Sequence, residues 1–186
     1  MIFYLVRHGQ TDWNIEKRMQ GHADIPLNKT GIRQMNDLAN RIAKAGIRFH
    51  RLVASPLSRA KQSAEIIVEK TGFSKEIVID ENFIERDCGL LEGEIWRPDL
   101  VLTNPRYEME TVKELCDRAE KALEPYLFNG DEAVMIVSHG AILTAVRTVL
   151  SDHRIAFSDR KAPVIQGNVL RCLKEEGKDA VFSNLF

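Results

Sequence analysis

The chain has 186 residues, 44% hydrophobic and 28% charged, with 26 Lys plus Arg against 27 Asp plus Glu. That composition fits one ordinary globular domain and excludes a disordered, collagen-like or low-complexity chain. A formal net charge of −1 supplies no global field for a polyanion or a lipid surface, so neither nucleic acid nor membrane is an expected partner. Cys88, Cys116 and Cys172 form no CxxC pair and read as reduced thiols, not as a zinc ribbon or a thioredoxin-like site. The opening MIFYLVRHG holds an apolar run too short for a signal-peptide h-region, and no stretch approaches the roughly 20 apolar residues of a membrane helix. A cytoplasmic location is expected.

Taken in chain order, Ile2 to Val6 is a continuous apolar run that suits a buried parallel strand. A loop from Gly9 to Pro26 follows. Asn28 is an expected N-cap for a helix from about Lys29 to Ala45, where Ile32, Met35, Leu38, Ala39, Ile42 and Ala43 keep a helical stripe and Gly46 closes it. Leu52 to Ala54 predicts a second short strand, and Ser58 to Lys70 a second helix with Gly72 past its end. Glu76 to Asp80 alternates like a strand. Residues 94–107 give no clean period. A long helix is expected from about Thr111 to Leu127, with a break near Pro125. Ala133 to Val137 predicts another buried strand, opening into Ser138-His139-Gly140 and a helix to about Leu150. Val169 to Lys174 and Ala180 to Leu185 predict a hairpin around Glu176-Gly177-Lys178. Strands alternating with helices argue for a three-layer α/β/α sandwich with a mostly parallel central sheet, all in one domain spanning 1–186.

In such a sheet, ligands bind beyond the carboxyl ends of the strands. Two predicted strands run into Arg7-His8-Gly9 and Ser138-His139-Gly140, each placing a His at a strand end with a Gly that lets the backbone approach a ligand. A lone His there is commonly structural; two His-Gly pairs, one preceded by Arg, point to a site. A third strand end leads into Ser55-Pro56-Leu57-Ser58-Arg59-Ala60. Arg59 falls in the first turn of a helix, where the helix dipole disfavours a cation. Beside Arg7 it looks like half of an anion clamp, since guanidinium forks suit phosphate oxygens.

Leu5-Val6-Arg7-His8-Gly9-Gln10-Thr11-Asp12-Trp13-Asn14 resembles the signature of the histidine phosphatase superfamily, the phosphoglycerate mutase-like fold. The resemblance continues in family order through Gln20-Gly21-His22-Ala23-Asp24-Ile25-Pro26-Leu27, Asn28-Lys29-Thr30-Gly31 with Gln34, Ser55 to Ala60, Glu85 with Gly89, Glu92 and Gly93, Glu110-Thr111 with Arg118, and Val137 to Gly140. It implies His8 as the nucleophile that becomes phosphohistidine. Arg7, Arg59 and His139 would hold the phosphoryl group, with Asn14 as a further contact, and Glu85 would donate the proton to the leaving oxygen. Gln20, Gly21 and Gly140 are carried over as substrate-binding positions. Neither a metal nor another cofactor is implied.

Elementary chemistry agrees with those roles. A nucleophilic His must be neutral, and nearby cations lower its pKa. Phosphoryl transfer needs mainly in-line positioning and charge neutralisation. Other phosphatase chemistries fare poorly: a Cys-x5-Arg nucleophile would need Arg where Glu94, Ala122 and Lys178 stand, no Asp-x-Asp pair exists, and neither GxGxxG nor a P-loop occurs. A metal site among the five His is disfavoured because His8 and His139 have a better role.

Four departures from the family pattern stand out. His22 stands where Trp is frequent and either lines the substrate mouth or is a solvated loop residue. Ser63 replaces the usual Thr and Gln10 the commoner Glu, with little effect expected. Only 54 positions separate Glu85 from His139. That leaves a short cap, residues 94–115, in place of the longer insertion of true mutases, and favours hydrolysis. Trp96, Tyr107 and the rest of 94–107 are expected to form the specificity wall. The expected activity is metal-independent hydrolysis of a small phosphate ester, such as a sugar phosphate, a phosphoglycerate or α-ribazole phosphate. A bisphosphoglycerate-dependent mutase, a phosphohistidine-protein phosphatase and an idle binding module are the alternatives. The tail hairpin and the sheet edge offer a surface for a homodimer.

Overall fold

The computed structural model describes residues 1–127, 133–159 and 162–186. Six strands form one sheet in the order β3-β2-β4-β1-β5-β6. They are β1 (Ile2–Arg7), β2 (Arg51–Ala54), β3 (Val78–Ile79), β4 (Ala133–Ser138), β5 (Val169–Leu173) and β6 (Val181–Asn184). The first four run parallel, β5 is antiparallel to β1, and β6 is antiparallel to β5. Five α-helices accompany them: α1 (Asp12–Ile15), α2 (Lys29–Lys44), α3 (Ser58–Thr71), α4 (Val112–Leu127) and α5 (Gly140–Leu150).

Side chains of a strand alternate between faces, and each face here has its own helix layer. Phe3, Leu5, Val53, Val134 and Ile136 pack with α4 and α5. Tyr4, Val6, Leu52, Ala54, Met135 and Val137 pack with α2 and α3. Both faces are covered, which is why β1 and β4 read as unbroken apolar runs. The three-layer α/β/α architecture expected from the sequence is therefore present.

Helix ends follow local chemistry. Asn28 Oδ1 accepts from Gly31 N at 2.8 Å and caps α2. At the other end Gly46 adopts φ +65°, with Gly46 N donating to Ala43 O and Ile47 N to Ile42 O, a Schellman closure that favours glycine. Leu57 offers α3 no side-chain cap; Asp24, from a distant loop, accepts from Ser58 N at 2.7 Å instead.

Three expectations shift. The loop from Gly9 to Pro26 contains α1, nucleated by a reciprocal capping box between Thr11 and Asn14. The strand expected over 76–80 shrinks to Val78–Ile79 at the sheet edge. Pro125 does not break α4, which continues past it through Leu127. Within the stretch expected as a cap, α4 already starts at Val112, and residues 94–111 hold a single 3₁₀ turn at Pro105–Tyr107.

Ile136 is fully buried in the central strand, whereas Ile15 is 61% exposed. Ile136→Ala should cost about 3 kcal/mol, read as a lower urea midpoint at unchanged m-value, while Ile15→Ala should stay within about 0.5 kcal/mol.

Candidate active site

Strands β2, β4 and β1 are consecutive neighbours, and Arg7 pairs in register with Ser138. Their carboxyl ends therefore deliver Ser55, His139 and His8 to one place, whatever their separation in sequence. The rings of His8 and His139 lie 5.1 Å apart, edge to face, and both are buried.

Hydrogen bonding sets both tautomers. His8 Nδ1 is 2.6 Å from Gly9 O. A carbonyl only accepts, so Nδ1 carries the proton and Nε2 keeps its lone pair. For His139, Arg59 Nε donates to Nδ1 at 3.1 Å, so Nε2 is protonated and donates to Ser55 Oγ at 2.7 Å. Burial, reinforced by Arg59 and Arg7, pushes the His8 pKa down to about 3. Burial first, then the proximity of His8, Arg59 and Arg7, lowers His139 well below the usual imidazole value.

Arg59 is wholly buried at the start of α3. Its Nη1 donates to Ala23 O at 2.7 Å and its Nη2 to Gly21 O at 3.0 Å, leaving one further N–H on each for a ligand. Arg7 differs: its Nε is buried and has no hydrogen-bond partner. The Arg7 guanidinium lies against Gly140, where an added Cβ would stand 3.4 Å from Cζ, so the missing side chain at 140 leaves it room. Burial lowers the pKa of both arginines, and Glu85 opposes that fall most. Two cations in a dry pocket are an electrostatic burden that an incoming anion relieves.

Glu85 stands at the N-terminus of α5. One carboxylate oxygen accepts from Ala141 N at 3.1 Å, Ile142 N at 3.1 Å and Arg86 N at 2.9 Å. Among the described residues no group of three or more His, Cys, Asp or Glu is arranged to hold a metal ion.

The remaining expected positions surround this core. Asn14 Oδ1 accepts from Thr11 N and from Gln166 Nε2, and Gln166 Nε2 also donates to His8 O. Gln20 Oε1 accepts from Thr11 Oγ1. Gly21, at φ +47°, turns its carbonyl onto Arg59. Gly9 serves a packing need: an added Cβ would sit 2.5 Å from Gly31 O, so the glycine lets the loop rest on the first turn of α2. Ser63 Oγ takes Gly9 N at 3.3 Å and donates to Arg59 O, tying the two motifs together.

His22 is exposed, yet its Nε2 donates to Glu85 O at 2.9 Å. Glu92 holds the same mouth loop by accepting from His22 N and Ala23 N. The cap pairs with the opposite loop through Met19 N to Glu94 O and Trp96 N to Lys17 O. Leu91, Ile95, Leu100 and Tyr107 line a surface depression of about 410 Å³, and Trp96 is not part of its wall. Sequence reasoning did not single out Ser55, Gln166 or Asp24 as site residues. Ser55 sits inside a recognised motif; Gln166 carries no local signal.

Two buried arginines beside two neutral imidazoles, at the ends of adjacent parallel strands, suit an α/β enzyme that handles an anion. A family model described as the histidine phosphatase superfamily, branch 1, matches residues 3–176. The chain is 40% identical over 157 residues to the uncharacterized phosphatase PhoE of Bacillus subtilis, covering 79% of this chain and 76% of that one. It is 35% identical over 154 residues to a probable phosphoglycerate mutase GpmB of Proteus mirabilis, covering 75% and 70%. Its fold is similar to a mycobacterial glucosyl-3-phosphoglycerate phosphatase (TM-score 0.82, 20% identity, covering 98% and 96%) and an Entamoeba histolytica phosphoserine phosphatase (TM-score 0.80, 23% identity, covering 98% and 94%). The chain belongs to the histidine phosphatase superfamily and is a phosphatase of that superfamily.

Because the folded state holds His8 neutral while the unfolded chain binds a proton near pH 6.5, its contribution to stability is present above that pH. It is lost as pH falls from about 6.5 towards about 3. At pH 5 the loss from this one histidine should reach about 2 kcal/mol. His8→Gln should therefore lose less stability than wild type between pH 7 and pH 5, a difference that paired urea titrations measure.

Proposed function

We propose that the protein is a metal-independent phosphomonoesterase that hydrolyses a small phosphorylated metabolite through a phosphohistidine on His8. The observation that carries this reading is the pairing of His8, held neutral with Nε2 unprotonated, with the partnerless Arg7 Nε beside it. A buried polar atom without a partner in a native fold asks for a ligand, and a guanidinium asks for an anion.

In the first step His8 Nε2 forms a bond to phosphorus as the P–O bond of the ester breaks. Nδ1 keeps its proton, donated in a hydrogen bond to the Gly9 carbonyl, so the imidazole keeps its orientation. In this reading Glu85 gives a proton to the leaving oxygen. Arg7 and the two spare N–H groups of Arg59 neutralise charge on the equatorial oxygens. His139 has both ring nitrogens engaged by Arg59 and Ser55, and in this reading it orients Arg59 as well as walling the cup. In the second step Glu85 takes a proton from water, the water oxygen bonds to phosphorus, and the N–P bond breaks to release phosphate.

The absence of any α-helix over residues 94–111 favours hydrolysis over transfer to a second substrate, since little covers the cup against water. The names of relatives and structural neighbours point to phosphate esters of small polar metabolites as the substrate class. Three buried free cysteines support action in the cytoplasm.

Turnover of an aryl phosphate with chelator present tests the mechanism. His8→Ala should lose about 10³-fold or more in kcat, and wild type quenched in alkaline denaturant should carry one base-stable, acid-labile phosphoryl group. Equal turnover by both proteins, or a requirement for added metal, would overturn it. Phosphoryl transfer to phosphoglycerate outpacing transfer to water would favour the mutase instead.

A further inference from the structure

Arg118, on the outer layer's helix α4, spends every N–H of its guanidinium inside the protein. Its Nε donates to Glu110 Oε1 at 2.9 Å and its Nη2 to Glu110 Oε2 at 2.8 Å, a two-pronged ion pair. Its Nη1 donates to Asn82 O at 2.7 Å and Ile84 O at 2.8 Å, and its Nη2 also to Glu85 O at 3.2 Å. A guanidinium has no sixth donor, so nothing remains for substrate. The side chains of this pair are only 19% and 14% exposed, which screens them little from each other.

Glu110 works from the far end of the cap. Its Oε2 also accepts from Asp87 N at 3.2 Å, its backbone N donates to Asp87 O, and its carbonyl accepts Arg86 Nε at 2.7 Å. The chain leaving Glu85 and the chain re-entering α4 are thus fastened together at the base of the cap.

We propose that Arg118 and Glu110 form a positioning clamp that sets the Glu85 carboxyl against the leaving oxygen, and that this clamp couples the base of the cap to the proton donor. The proposal rests on the reading of Glu85 as that donor. Arg118 never touches substrate; it acts through three carbonyls of the segment carrying Glu85. A displacement near 1 Å of a catalytic group costs about 10²-fold in rate, so loosening three anchors is enough to matter. Lysine cannot replace the planar fork, because it is a point charge with no two-pronged geometry.

The test compares kcat/KM for two substrates, an alkyl phosphate whose leaving oxygen needs a proton and 2,4-dinitrophenyl phosphate whose leaving group does not. Glu85→Gln should fall steeply on the alkyl ester only, and Arg118→Lys should follow with a loss of roughly 10- to 100-fold, part of the 10²–10⁴ that a general acid supplies. On the dinitrophenyl ester Arg118→Lys should stay within about 3-fold of wild type, with KM little changed. Glu110→Gln, which keeps the three carbonyl bonds, should give the same selectivity in a weaker form and serves if Arg118→Lys does not fold. Equal losses on both esters in folded variants would overturn the clamp while a selective Glu85→Gln left the donor assignment standing. A Glu85→Gln loss without leaving-group selectivity would overturn the donor assignment and the clamp with it.

Discussion

Positive charge that is buried before any anion arrives is the constraint around which this molecule is arranged. Arg59 is wholly inside, Arg7 mostly so, and burial depresses the pKa of each. Such a pair survives only if its surroundings supply acceptors or hold it in a rigid frame. Arg59 takes the first route, through Gly21 O, Ala23 O and His139 Nδ1. Arg7 takes the second, anchored at the end of a central strand beside α5. Burial, with those two charges beside it, also keeps His8 unprotonated, so one arrangement gathers the cations and leaves an imidazole neutral among them.

The loops follow from that arrangement. Residues 21–24 are held from two sides, carbonyls by Arg59 and amides by Glu92, while Asp24 caps α3 at the residue next to Arg59. Glu85 is held from two sides as well, its carboxylate by the α5 amides and its carbonyl by His22 and Arg118. Most of these contacts are charge-assisted, and they run between segments far apart in the chain. Rigidity at the chemistry therefore derives from the tertiary fold, not from any one element.

Much of the fold was legible in the chain. The apolar runs at β1 and β4 survive because both sheet faces are covered, and the α2 caps at Asn28 and Gly46 are local chemistry that needs no tertiary context. Short elements were the weak point. Helix α1 depends on an Asn in place of the usual Glu or Gln of a capping box, and β3 is two residues long because an edge strand has one neighbour to pair with. Trp96 and Tyr107 illustrate another limit: both fall in the expected cap, but only Tyr107 lines its depression, and an aperiodic segment gives no clue to which way a side chain turns.

The amino-acid sequence alone determined which groups are at hand: two His-Gly strand ends, Arg7 and Arg59 beside strand ends, and Glu85 through its resemblance to a family acid. Residue type sets what a group can donate, accept or attack, and local propensity sets which strand or helix carries it. Only the tertiary structure decided which ring nitrogen of His8 is free, that Arg7 rather than Arg59 lacks a partner, and that Arg118 serves Glu85 instead of merely opening α4. Those outcomes depend on distances between atoms dozens of residues apart, and such distances are set by strand order and layer packing, which local sequence does not encode.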